Sequence, residues 1–300
     1  MDDPRCTDRI LGCFVGGAIG DAFGAVYEGQ TPPIEIDRSL GWMLTDDTQL
    51  TLATCEAIVE TGQADPASIA ARMATWFRAG RINGIGAATY KALSELTAGG
   101  HWALVGSRGE RAAGNGAAMR IAPLAFHLNP VLPEHRQRIR DISRITHHHE
   151  EAYCGALAVV VAVRTAWLET SPLGGDLLAL VASALPDSLV RDRLRELSVV
   201  AGAMTLAEIA ARYGASGYVV ESVPMAVAAA ARLEEVGFQP LMESIVSWGG
   251  DADTIASIAG QIAGCRLGFA ALPVTMLAQL PERESVVEIA EHFARSVRPT

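Results

Sequence analysis

Apolar residues recur at the three-to-four-residue spacing of a helix along nearly the whole 300-residue chain, and strand-type alternation is almost absent. That pattern leaves an all-α fold. Helices are predicted near 7–25, 48–62, 66–79, 85–98, 117–127, 134–144 and 149–170, then near 174–184, 188–200, 206–213, 218–235, 240–247, 254–271 and 285–296. Asp65-Pro66 places a proline at a first helical position, Thr205 can cap 206–213, and Asp187 or Ser188 can cap the helix before it. Asn83-Gly84 and Asn115-Gly116 lack alternating flanks, so they read as loop turns. Fifty alanines against seven Phe, five Trp and five Tyr fit closely packed helices better than sheets. Half the residues are apolar and 19% are charged, which supports a large core and excludes disorder as the dominant state. Length alone suggests two domains, but no linker, low-complexity tract or repeat of 20–50 residues appears. Chemically related motifs near both ends favour a single domain over 1–300.

A net charge of −10 argues against generic nucleic-acid or anionic-membrane binding, which needs a basic surface. Cysteines 6, 13, 55, 154 and 265 are scattered without a CxxC, so buried thiols in a reducing compartment are expected rather than disulfides or zinc. No signal peptide is visible, and the apolar stretches 156–163 and 226–231 are too short to span a bilayer. The expectation is a soluble, monomeric, cytoplasmic protein.

Thr45-Asp46-Asp47-Thr48 stands directly before a helical run, where Asp and Thr can cap free N–H groups. One Asp suffices for that, and two adjacent ones repel. Gly249-Gly250-Asp251-Ala252-Asp253-Thr254 repeats the arrangement before a helix apolar enough to be buried. Carboxylates at the mouth of a buried helix need compensation. Together the motifs form an all-oxygen set suited to hard cations such as Mg²⁺, Mn²⁺ or Ca²⁺, and four carboxylates exceed what one divalent ion neutralises. Glu28 is a third acidic candidate, after a glycine-rich helix whose small residues permit close backbone approach. Gly114-Asn115-Gly116 leads toward a predicted helix start that can offer N–H groups to phosphate. Of His147-His148-His149, adjacent residues do not share a face, so His147 is favoured as a pocket residue and the other two as solvated.

In order along nearly the whole chain, 16–28, 45–48, 84–86, 114–120, Thr146-His147 and 249–264 resemble the ADP-ribosylglycohydrolase family, also called the ADP-ribosyl-acceptor hydrolases. The resemblance implies an all-α orthogonal bundle around a dinuclear Mg²⁺ or Mn²⁺ centre. It implies Thr45, Asp46, Asp47, Asp251, Asp253 and Thr254 as metal ligands and Glu28 as a mobile glutamate beside them. Gly84, Gly86, Gly114, Asn115, Gly116 and His147 correspond to the substrate groove. Val26-Tyr27-Glu28, 84–87 and 253–256 look more like the branch that cleaves serine-linked ADP-ribose and O-acetyl-ADP-ribose. Arginine-specific relatives usually carry an Asp where this chain has Gly84, although 114–120 resembles the nitrogenase-reactivating enzymes equally well. The connection from Glu28 to Thr45 is shorter than in the relatives.

The activity so implied is hydrolysis at the anomeric carbon of the distal ribose, with Glu28 as general acid or general base. Its substrate would be an ADP-ribosylated protein or an ADP-ribose-containing small molecule. The alternatives are an arginine-specific hydrolase of the nitrogenase-reactivating type, a catalytically inactive ADP-ribose-binding protein and a two-metal phosphohydrolase.

Overall fold

The computed structural model describes residues 4–174 and 176–297. The chain begins with α1 (Pro4–Gly24), α2 (Asp46–Thr61), α3 (Pro66–Arg78), α4 (Ala87–Thr97), α5 (Pro133–Arg144) and α6 (Glu150–Leu168). It continues through α7 (Asp176–Ala184), α8 (Leu189–Val200), α9 (Leu206–Tyr213), α10 (Val219–Ala230) and the single turn α11 (Leu233–Val236). It ends with α12 (Phe238–Val246), α13 (Ala252–Leu267), α14 (Val274–Gln279) and α15 (Arg283–Ser296). The fold is all-α, as the periodicity predicts. Among the described residues the only ladder is two residues long, with β1 (Ser107–Arg108) parallel to β2 (His147–His148). The helix expected from 174 is described from Asp176, and Gly175 lies outside the described residues.

Four glycines spaced four apart on α1 set the architecture. A Cβ on Gly12 would stand 2.2 Å from the Gly264 carbonyl oxygen, and one on Gly16 would stand 2.5 Å from that of Gly260. Gly20 meets Ala256 at 2.1 Å and Gly24 meets Asp253 Cα at 2.5 Å. The i, i+4 spacing puts all four on one face, and α1 therefore lies antiparallel against α13 at backbone contact. This packing draws the C-terminal end of α1 to the N-terminal end of α13. Around the pair, Phe14, Phe126 and Phe293 make edge-on ring contacts, with centroids 5.1–6.0 Å apart.

Several boundaries differ from those predicted. The helix expected over 117–127 is a series of turns followed by a 3₁₀ helix at Ala122–Phe126. Pro123 has no N–H to bond the carbonyl four residues back, and that carbonyl, on Met119, accepts the Gln261 amide at 2.7 Å instead. The helix expected to reach 271 stops at Leu267, because Gly268 turns the chain at φ 86°. The 218–235 helix breaks at Ala231–Arg232. The sequence pattern did not anticipate α14, six residues between Pro273 and Pro281. By length and composition α6 is apolar enough to cross a membrane, but it lies mostly buried inside the bundle. Cys13, Cys55, Cys154 and Cys265 are buried thiols.

Candidate active site

The site forms where α1 ends and α2 and α13 begin. Asp21, on α1, accepts hydrogen bonds from the Thr45 hydroxyl (2.7 Å), the Thr45 amide (3.1 Å) and the Thr48 amide (3.1 Å). Thr45 is the N-cap of α2, and its hydroxyl accepts from the Asp47 amide at 3.3 Å. Capping of α2 is thus carried by Asp21 and Thr45, leaving the Asp46 and Asp47 side chains for another purpose. At α13 the N-cap Asp251 makes no capping bond with its side chain, and Asp253 accepts from the Thr254 amide at 2.8 Å. The Thr254 hydroxyl crosses to Asp47 at 3.1 Å, joining the motifs from the two ends of the chain.

Of the thirteen residues singled out from the sequence, twelve line one cleft: Glu28, Asp46, Asp47, Gly84, Gly86, Gly114, Asn115, Gly116, His147, Asp251, Asp253 and Thr254. Thr45 is not on its wall. Single carboxylate oxygens of Asp21, Asp47 and Asp253 lie within 4.8 Å of one another, and so do those of Glu28, Asp251 and Asp253. Asp253 belongs to both groups. Asp46 belongs to neither, although it lines the same cleft.

No ion pair among the described residues compensates these six acids. Burial, reinforced by Asp21, holds Asp46 well above the usual carboxylate range. Burial and the neighbouring Asp253 do the same to Asp47. Asp253 is pushed up to about 9 by burial, then by Asp251 and Glu28. Burial raises Asp21 and Asp251 as well, and it raises Glu28 with help from Asp251 and Asp21. Asp47 Oδ1 is buried with no hydrogen-bond partner among the described residues. The buried Arg120 charge acts on Asp46 without an ion pair. An orphaned carboxylate oxygen and clustered hard donors, six acids with so little countercharge, are what divalent cations require of a protein. The residues fit such ions.

Glu28 is exposed, and the chain around it is pinned to the start of α13. The Gly29 amide donates to the Gly250 carbonyl at 2.7 Å, and the Gly250 amide donates to Gln30 at 3.3 Å. Tyr27 accepts from the Asp37 amide at 3.0 Å and donates to its carbonyl at 3.1 Å. The short connection thus fixes Glu28 beside Asp251 and Asp253.

The opposite wall is made by the first residues of α4 and by 114–116. An added Cβ on Gly116 would stand 2.8 Å from His147 Cε1, and one on Gly114 would stand 3.2 Å from Nε2. Both glycines therefore make room for the imidazole. The Asn115 amide donates to Asp251, which orients that carboxylate. His148 and His149 have structural roles: His148 bonds the Val105 carbonyl at 2.6 Å, and His149 caps α6 by accepting from the Glu151 amide at 3.1 Å.

Sequence reasoning missed two parts of the site. The capping role of Asp21 is one, because the residue lies within the glycine-rich helix and its partners lie 24 and 27 residues away. Arg111, in the 3₁₀ turn Glu110–Ala112, lines the cleft and makes no side-chain ion pair or hydrogen bond among the described residues. No local pattern marks it.

Fold and cleft define a class: an all-α enzyme whose acidic centre opens onto a glycine-walled groove. The chain belongs to the ADP-ribosylglycohydrolase family, whose pattern matches residues 2–300. It is accordingly a hydrolase of ADP-ribosyl bonds. It is 28% identical to ADP-ribosylarginine hydrolase Tri1 of Pseudomonas putida, over 96% of this chain and 78% of that protein. It is 26% identical to ADP-ribosylhydrolase ARH3 of Bos taurus, over 90% of this chain and 87% of that one. A solved structure described as an ADP-ribosylglycohydrolase-related protein complex is 29% identical and superposes with a TM-score of 0.77. The match covers 98% of this chain and 99% of that one.

Proposed function

We propose that the chain releases ADP-ribose by hydrolysing the bond at the anomeric carbon of the distal ribose, with serine-linked ADP-ribose or O-acetyl-ADP-ribose preferred. The carrying observation is the cluster of buried, uncompensated carboxylates at one end of a cleft whose other end is built for a ligand with accepting oxygens. In this reading Asp46, Asp47, Asp251, Asp253, Thr45 and Thr254 hold two divalent cations, Mg²⁺ or Mn²⁺. When bound, these ions supply Lewis-acid stabilisation of charge on the ribose oxygens. Asp21 holds the start of α2 in place and so positions Asp47.

Glu28 moves the proton, as general base toward the attacking water or as general acid toward the leaving oxygen. Although the residue as a whole is exposed, its carboxyl faces the cleft, where partial desolvation and the neighbouring Asp251 and Asp21 raise it above a free glutamate, so it exchanges a proton more readily near neutral pH. Arg111, the one cationic residue on the described wall, faces the pyrophosphate together with the uncapped N–H groups of Ala87 and Ala88. Asn115 orients Asp251, and Gly114 and Gly116 seat His147 against the groove. One domain contains the whole site, since its acids come from both ends of the chain, and we propose that it acts as a cytoplasmic monomer.

The acceptor preference rests on Gly84. An arginine acceptor carries a guanidinium that a carboxylate can bind bidentately, and this position offers none. A Cβ here would lie 3.2 Å from Thr45 Cβ and 3.9 Å from Asp46 Oδ1, so an Asp would bear directly on the cluster. The second reading, an arginine-specific hydrolase, is favoured by the similarity to Tri1, 28% identical against 26% for ARH3. Measuring kcat/KM on matched serine- and arginine-linked ADP-ribosyl peptides decides between them. The serine peptide should be cleaved faster, and a clear arginine preference would overturn the role given to Gly84.

A further inference from the structure

Arg120 is fully buried, yet its Nε and Nη1 have no hydrogen-bond partner among the described residues. A buried guanidinium left this incompletely bonded costs stability, so packing alone does not account for it. Its closest bond is Nη2 to the Thr146 hydroxyl at 2.8 Å, with a longer contact to the Ile142 carbonyl at 3.4 Å. The same hydroxyl lies 2.8 Å from His147 Nδ1. Thr146 is fully buried, and His147 is nearly so.

Donor and acceptor capacity fix the direction of this chain. A guanidinium only donates, so Thr146 Oγ1 accepts from Arg120. The hydroxyl carries one proton of its own, and among the described residues the only acceptor within bonding distance is His147 Nδ1. Nδ1 therefore accepts, and the ring proton sits on Nε2. Among the described residues Nε2 has no hydrogen-bond partner, and it belongs to a ring that lines the cleft against Gly114 and Gly116.

We propose that Thr146, held by Arg120, locks His147 as the Nε2–H tautomer and so presents a fixed, neutral hydrogen-bond donor to the cleft. Its partner is an oxygen of the ADP-ribosyl group, a ribose hydroxyl or a phosphate oxygen; that half rests on the hydrolase reading above. Arg120 and Thr146 are positioning residues. Burial, followed by the Arg120 charge, pushes His147 down to about 3, so the ring stays neutral wherever the protein is folded near neutrality.

The test is long-range ¹H–¹⁵N NMR of the histidine rings in the ligand-free protein, with His147 assigned by His147→Asn. Wild type and Thr146→Ser should show protonated Nε2 and a bare Nδ1. Thr146→Val, which removes only the hydroxyl, should show protonated Nδ1 or a mixture of tautomers. Protonated Nδ1 in the wild type, or an unchanged tautomer in Thr146→Val, would overturn the lock. ADP-ribose titration then reads the second half: Thr146→Val should raise Kd about tenfold, the worth of one hydrogen bond, and Thr146→Ser should not. An unchanged Kd in Thr146→Val would overturn the substrate role. Failure of the wild type to bind ADP-ribose at all would instead refute the hydrolase reading, leaving the tautomer result standing.

Discussion

Replacing Asp47 or Asp253 by Asn keeps the shape of the side chain and removes its charge, which separates cation holding from folding. Each variant should lose more than about 100-fold in ADP-ribose release, beyond the loss typical of an outer-sphere change at a metal site. Helical content by circular dichroism should stay unchanged, because capping of α2 falls to Asp21 and Thr45. Near-wild-type turnover in both would refute their assignment as ligands. At this scale the acids of the two ends were legible in the sequence, since paired aspartates before two helices exceed what capping needs. Asp21 was not: a carboxylate that caps a helix 24 residues away carries no mark in its own neighbourhood. The reason for Gly114 and Gly116 was equally hidden, because the ring they accommodate, His147, belongs to a distant segment.

Between elements, the contact of α1 with α13 determines where the acids meet. Gly20→Ala places a Cβ 2.1 Å from a backbone oxygen of Ala256, and backbone cannot rotate away as a side chain can. The two helices must part, at a cost of about 1–3 kcal/mol or more. Thermal unfolding should move down by several degrees. Activity should fall further than stability explains, since Asp21 and Asp253 sit at the end of this contact. A Gly20→Ala protein with wild-type Tm and turnover would show that the contact is not needed. Helical periodicity made most elements legible, but their ends depended on single residues with competing partners. Pro123 and the Met119 carbonyl dissolve one expected helix, Gly268 shortens another, and six residues between two prolines were too few to show a period.

For the whole molecule, uncompensated acids make stability depend on cations and on pH together. In the cation-free protein the folded carboxyl of Asp253 lies near 9, above its value in an unfolded chain. A group raised in this way favours the folded state below its unfolded pKa, and that contribution is lost as pH rises through the folded value. The EDTA-treated protein should therefore lose Tm from about pH 5 to pH 8. Mg²⁺ or Mn²⁺ should restore it most at the alkaline end, because an ion that binds only the folded state at about 100 times its Kd adds roughly 2.7 kcal/mol. Melting curves with and without metal across that range check this, and an EDTA-insensitive Tm at pH 8 would count against cation binding. The central claim is that this acidic cleft cuts an ADP-ribosyl bond at the anomeric carbon, and product identity tests it most directly. Serine- and arginine-linked ADP-ribosyl peptides, incubated with the protein and Mg²⁺ and resolved by mass spectrometry, should yield free ADP-ribose and unmodified peptide, with no product in EDTA or with Asp253→Asn. Release of AMP, or intact substrate after prolonged incubation with metal, would contradict it.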